Sequence, residues 1–257
     1  MTPSSKIAAP SVFKMMMEGR APWEFGATLA TWPLMQYALK NVPKGDGHAV
    51  VVFPGLAAND FSTMPLRGFL QKLGYQPHGW HQGVNLGPRQ GVIEIAAEQV
   101  AKIYNSTGKP VSLIGWSLGG IYARELAKQM PEKIRGVMTL GTPFAGPPSA
   151  TNAWWIYQLA NGKHSIDETL QLSLKDSPPV PTSSVYSKSD GIVAWQCSVQ
   201  DAAHAGADFE NIELIASHFG IGFNPLAWYV IADRLAQQNG AWRPFDRTGL
   251  GKYLYKH

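Results

Sequence analysis

Ser117 stands at the centre of Gly115-Trp116-Ser117-Leu118-Gly119, with a glycine two residues away on either side. The run before it, Val111-Ser112-Leu113-Ile114, reads as a buried strand, and the run after it continues with helical spacing. A serine at so tight a strand-to-helix turn is forced into a strained backbone conformation that holds its hydroxyl clear of the sheet. Small flanking residues let the strand and helix approach each other there. The N–H of Leu118 then lies in the first turn of the helix, where partial positive charge favours a developing oxyanion. Such a serine is placed for nucleophilic attack on a carbonyl.

A serine hydroxyl is a weak nucleophile at neutral pH, so it needs a histidine base and a carboxylate to orient that base. In a strand-turn-helix framework these follow the serine, carboxylate first, each at the end of a later strand. Asp190 lies just beyond Thr182-Ser183-Ser184-Val185-Tyr186 and before Gly191, which would allow a sharp turn. His218 directly follows Asn211-Ile212-Glu213-Leu214-Ile215-Ala216-Ser217 and precedes Gly220 and Gly222. His204, Asp201 and Asp208 are rivals in a polar, alanine-rich loop. A tetrahedral intermediate also wants a second main-chain donor, from the loop after an early strand. Leu56 fits, after Pro54-Gly55, and Asp60 reads as a helix cap.

From residue 49 onward, short β-branched runs alternate with helical stretches closed by Gly74 and Gly108. A last helix is capped by Asn224 with Pro225 in its first turn. This alternation predicts an α/β fold with a mostly parallel central sheet covered by helices on both faces. Residues 46–257 form that domain, and residues 1–45 a helical arm docked on it. A Trp-, Asn-, Ser- and Pro-rich stretch at about 147–181 interrupts the alternation as a small helical cap. Trp154, Trp155 and Tyr157 in that cap, with Ile156 and Leu159, are expected to cover the site, and with Trp116 they are candidates for contacting a hydrophobic substrate.

With 257 residues, 45% apolar and 16% charged, the chain is long enough for one large domain with a sizeable core. Its 22 basic and 18 acidic residues leave +4, and no basic run suits nucleic acid. Cys197, the only cysteine, reads as a packing residue. Lys6, Lys14, Glu18 and Arg20 break any secretory signal, which makes the cytoplasm the expected location. Within the arm, Glu24, Thr28 and Thr31 make a narrow polar stripe on an otherwise apolar helix, and Pro33 argues against a straight membrane span. The apolar remainder is a candidate for peripheral membrane or lipid contact.

Taken together, "FPGLAAND", "GWSLGG", "LGTPFAG", "SKSDGIV" and "SHFGIGFNP" resemble the α/β-hydrolase superfamily, in its bacterial esterase and lipase branch, from about residue 48 to the C-terminus. The resemblance implies Ser117 as nucleophile, His218 as base and acid, Asp190 as orienting carboxylate, and Leu56 with Leu118 as oxyanion donors. It implies ester hydrolysis through an acyl-enzyme, with no metal or organic cofactor and a hydrophobic ester as substrate. Pro54 stands where bacterial lipases of the branch usually have histidine, and Trp116 where histidine or tyrosine is commoner. Short to medium acyl esters are therefore expected. The alternatives are an acyltransferase using the same residues, a true interfacial lipase, and, more remotely, a non-catalytic lipid-binding protein.

Overall fold

The computed structural model describes residues 7–38, 44–152, 174–206, 208–248 and 251–255. Trp154, Trp155, Ile156, Tyr157 and Leu159 lie outside them, as does most of the expected cap.

The described strands are β1 (Ala49–Phe53), β2 (Gln76–His78), β3 (Val111–Trp116), β4 (Ile134–Leu140), β5 (Thr182–Tyr186) and β6 (Phe209–Glu213). They form one sheet in the order β2-β1-β3-β4-β5-β6, every pairing parallel. Parallel neighbours need crossovers, and the longer helices supply them: α3 (Asp60–Lys72), α4 (Val92–Thr107) and α5 (Leu118–Gln129), with α6 (Pro225–Leu235) following β6. Alternate residues of each strand face opposite layers. Val50, Val52 and Ile114 pack on one side with Phe69, Leu70 and Trp228, carried by α3 and α6. Val51, Phe53 and Leu113 pack on the other with Val100, Tyr122 and Leu126, carried by α4 and α5. Both faces of β1, β3 and β5 are buried, and for that reason their sequences are continuous runs rather than alternating ones.

The cap of one helix and one short strand differ from the sequence reading. Helix α3 begins at Asp60, because the Asn59 side chain accepts the Phe61 N–H and starts the helix there; the chain then runs through Pro65. Asn59, not Asp60, is therefore the cap. Asp60 instead accepts the N–H groups of Trp80 and His81, tying α3 to the segment after β2. Strand β2 has no counterpart in the sequence reading. It is three residues long, lies at the sheet edge and contains Pro77, which an edge tolerates.

The arm comprises α1 (Val12–Met16), a 3-10 turn over Met17–Arg20, and α2 (Ala21–Ala38), which continues through Pro33. Among the described residues no helix is long and apolar enough to cross a membrane.

The β3–α5 crossing is the tightest joint in the fold. A side chain on Gly115 would overlap the backbone of Gly119 and Gly120, and one on Gly119 would overlap the carbonyl of Phe53. Gly119→Ala is therefore expected to lose about 1–3 kcal/mol, as overpacking against unyielding backbone does. Gly68→Ala, in α3 with open space around it, is expected to be neutral or gain up to about 1 kcal/mol of helix stability. Denaturant melts of the two variants measure both. Equal effects would show that the crossing has slack.

Candidate active site

Ser117 sits between β3 and α5 with φ 52° and ψ −122°, a conformation costly for a residue with a Cβ. The surrounding structure holds it: the Ser117 N–H donates to the Leu140 carbonyl at 2.8 Å, and the glycines at 115 and 119 let α5 approach β3 and β1 more closely than any side chain would. The hydroxyl lies 2.9 Å from His218 Nε2, and His218 Nδ1 lies 2.7 Å from Asp190 Oδ2. Asp190 Oδ1 accepts the N–H groups of Ile192 and Val193, each at 2.8 Å, so the carboxylate is fixed at both oxygens. The sequence thus names three residues, and the fold brings them into one hydrogen-bonded line.

Asp190 and His218 are both buried. Burial disfavours the imidazolium, but the charge and hydrogen bond of Asp190, with the charge of Glu18, outweigh it and raise the His218 pKa above the usual imidazole value. This arrangement can take a proton from Ser117 and stabilise the cation that results.

The β1–α3 loop approaches from the other side. A side chain on Gly55 would come within 3.3 Å of Ser117 Cβ, a tight contact, so glycine lets the loop lie close against the elbow. Leu56 follows it there, and Leu118 is the first residue of α5. The loop is shaped by Asn85, a residue the sequence reading passed over. Its main chain exchanges hydrogen bonds with Ala57 and Ala58, its amide donates to the Pro54 carbonyl at 2.9 Å, and its side-chain oxygen accepts from Tyr122. Fully buried, it holds Ala57 at φ 59°.

The arm closes the third side. Glu18, only 6% exposed, accepts the N–H groups of Gly191 at 2.7 Å and His218 at 2.9 Å on Oε1, and that of Phe219 at 3.2 Å on Oε2. Glu24 accepts the Ser217 N–H at 2.9 Å and its hydroxyl. Arg20 binds Glu24 and the Ser189 carbonyl and hydroxyl, and Lys14 donates to the Lys188 carbonyl at 2.8 Å. Thr28 donates to the Phe223 carbonyl. The polar stripe of α2 therefore turns inward at Glu24 and Thr28, leaving only Thr31 in solvent. Gly191 and Gly220 serve the same contact. Gly191 has no positive φ; a side chain on it would overlap the Lys14 carbonyl, and one on Gly220 the Glu24 carboxylate. In the sequence Glu18 is visible only as a charge interrupting an apolar stretch.

Trp116 is half-buried, donates its indole N–H to the His218 carbonyl at 3.1 Å and meets Phe223 edge-on, so it braces the base loop. The rivals lie elsewhere. His204 is exposed and bonded to Asp176, Asp201 caps a 3-10 turn, and Asp208 is exposed, with its carbonyl bound by Thr182. Cys197 is buried among Ala150, Val193 and Ala194, where burial pushes its thiol pKa up to about 11; it is a packing residue, not a nucleophile.

Comparison with curated proteins finds none that matches. Comparison with solved structures finds Aspergillus fumigatus lipase B, 20% identical with a TM-score of 0.54 over 76% of this chain; the chain spans only 54% of that enzyme. The monoacylglycerol lipase of Paleococcus ferrophilus is 17% identical, with a TM-score of 0.53 over 75% of this chain and 96% of its own. Alpha/beta hydrolase domain-containing protein 10 from mouse is 18% identical, with a TM-score of 0.51 over 74% and 88%. At these identities the likeness is one of fold. The sequence model of the alpha/beta hydrolase family, however, matches residues 25–249, the whole of the described sheet with α3 to α6 and most of α2. With that match, the parallel six-stranded sheet and the serine at its elbow, the chain belongs to the alpha/beta hydrolase family.

Proposed function

We propose that this protein is a serine carboxylic-ester hydrolase. The observation that carries the reading is the hydrogen-bonded line from Ser117 Oγ through His218 to Asp190. His218 takes the Ser117 proton as the hydroxyl oxygen attacks the ester carbonyl, and the oxyanion is held by the N–H groups of Leu56 and Leu118. The alcohol leaves with the proton from His218. Water, deprotonated by the same histidine, then cleaves the acyl-enzyme and regenerates Ser117. No step of this sequence calls for a metal or an organic cofactor. An acyltransferase would differ only in the second acceptor, and product analysis with competing alcohols distinguishes the two.

The substrate reading is a hydrophobic ester of short to medium acyl length, with Trp116 and the tryptophan-bearing segment as its contacts. The lipid-facing reading of the arm is supported by how its residues divide. Lys14, Glu18, Arg20 and Glu24 all bond to the hydrolase body, while Val12, Phe13, Met16, Trp23, Leu29 and Leu34 are exposed. A helix with its charges turned inward and its apolar side chains outward suits a lipid surface better than water.

A fluorophosphonate is expected to label Ser117 and no other residue, and Ser117→Ala to abolish labelling; mass spectrometry of the adduct reads this directly. An adduct on a different serine would remove the reading. His218→Ala is expected to lower ester turnover by roughly 10⁴- to 10⁶-fold, whereas His204→Ala leaves it unchanged. Steady-state rates on a soluble ester measure both, and the reverse pattern would move the base to the loop. Initial rates on butyrate, octanoate and oleate esters, taken below and above their solubility limits, test the substrate class. Butyrate and octanoate are expected to be the faster substrates, with no jump at the limit. A sharp rise above the limit, greatest for oleate, would instead identify an interfacial lipase.

A further inference from the structure

We propose that Glu18 is a positioning residue of this site, supplied by the N-terminal arm, which clamps the Asp190 loop to the His218 loop so that the Asp190–His218–Ser117 line stays in register. The inference rests on the ester-hydrolase reading of those three residues and goes beyond it by making the arm part of the machinery.

Three observations carry the proposal. The first is connectivity. One carboxylate binds Gly191, the residue after Asp190, and also His218 and Phe219, so a single side chain spans the two loops. Those loops leave adjacent strands, β5 and β6, whose register ends at Tyr186 and Glu213; just beyond it the Leu214 N–H donates to the Tyr186 carbonyl, Ser187 Oγ accepts the Ala216 N–H and the Ser189 hydroxyl donates to the Ala216 carbonyl, and Glu18 ties the loops further out, at the residues that carry the site. The second is chemistry. All three contacts are N–H donors, two on Oε1 and one on Oε2, a pattern that an ionised carboxylate satisfies and an amide cannot. The third is exclusion. Glycine at 191 and at 220 keeps the loops bare where the arm presses on them, so the sequence of the body is shaped to admit the arm.

The charge of Glu18 also faces the base. The other charged groups around His218 are Asp190 on its Nδ1, Glu24 on the neighbouring Ser217, and Arg20, which is paired with Glu24. Trp116 and Phe219 complete the surroundings without charge. Removing the Glu18 charge therefore disfavours the imidazolium and moves the base toward lower pKa.

The test compares wild type, Glu18→Gln and Glu18→Asp with p-nitrophenyl butyrate across pH, each rate divided by the sites titrated with a fluorophosphonate so that only folded, competent molecules count. Gln keeps the size but sets an N–H₂ against one main-chain N–H; Asp keeps the charge but is one methylene too short to reach both loops. For Glu18→Gln, kcat per site is expected to fall roughly 10- to 100-fold, the loss that small misplacements of reacting groups produce. KM should change little, and the acid limb of kcat/KM should move to lower pH, since His218 must be neutral to act and its protonated form has lost a neighbouring anion. For Glu18→Asp, kcat is expected to fall while the limb stays with wild type. If Glu18→Gln gives no titratable sites, kcat per site of Glu18→Asp decides alone. Variants that lose sites but keep wild-type kcat per site and limb would make Glu18 a stabilising residue only and overturn the proposal. Wild type that fails to label would overturn the hydrolase reading and the proposal with it, whereas wild type that labels beside unaltered variants overturns the proposal alone.

Discussion

Where parallel strands stop, their loops carry main-chain N–H groups that no neighbouring strand can accept, and each needs another acceptor if it is buried. At the carboxyl end of this sheet carboxylates meet that need. Asp190 accepts from Ile192 and Val193, Glu18 from Gly191, His218 and Phe219, and Glu24 from Ser217. The same bonds that satisfy the backbone orient Asp190, and through it the imidazole. Loop stability and site geometry are one set of interactions, and a change to either is felt in both.

The serine side of the site is held differently. No charge restrains Ser117; backbone crowding does. The glycines at 115, 119 and 120 let α5 lie against β3, β1 and Thr142 without side chains between, and Ser117 makes the turn there at positive φ. One half of the site is thus set by steric exclusion and the other by electrostatic capping. They meet at the 2.9 Å contact between His218 Nε2 and Ser117 Oγ.

Much of this was legible in the sequence where the signal is local. Gly115, Ser117 and Gly119 announce the elbow because they stand where a buried apolar run meets the start of a helix, and Asp190 and His218 are found by their place after strands whose apolar runs are plain. Asn85 and Glu18 were not legible. Each acts across a long stretch of chain on backbone atoms, whose identity leaves no mark in the partner's residue type. Gly191 and Gly220 were visible, but a glycine reads as a turn before it reads as clearance. The stripe of Glu24 and Thr28 was seen and its direction was not, because periodicity gives a face without saying which way the face looks. Strand β2 was too short to show any pattern.

The clamp joins residues 200 positions apart, Glu18 and His218. On a ribosome adding about 5–20 residues per second, the arm emerges roughly 10–40 s before the loop it must grip. During that interval its apolar helices have no finished surface to settle on, and the carboxylates that will be buried remain in water. The site is completed only when the last strand is in place. Assembly of this molecule is ordered by its chain direction: the arm is made before the loop it grips and is fitted after that loop is in place.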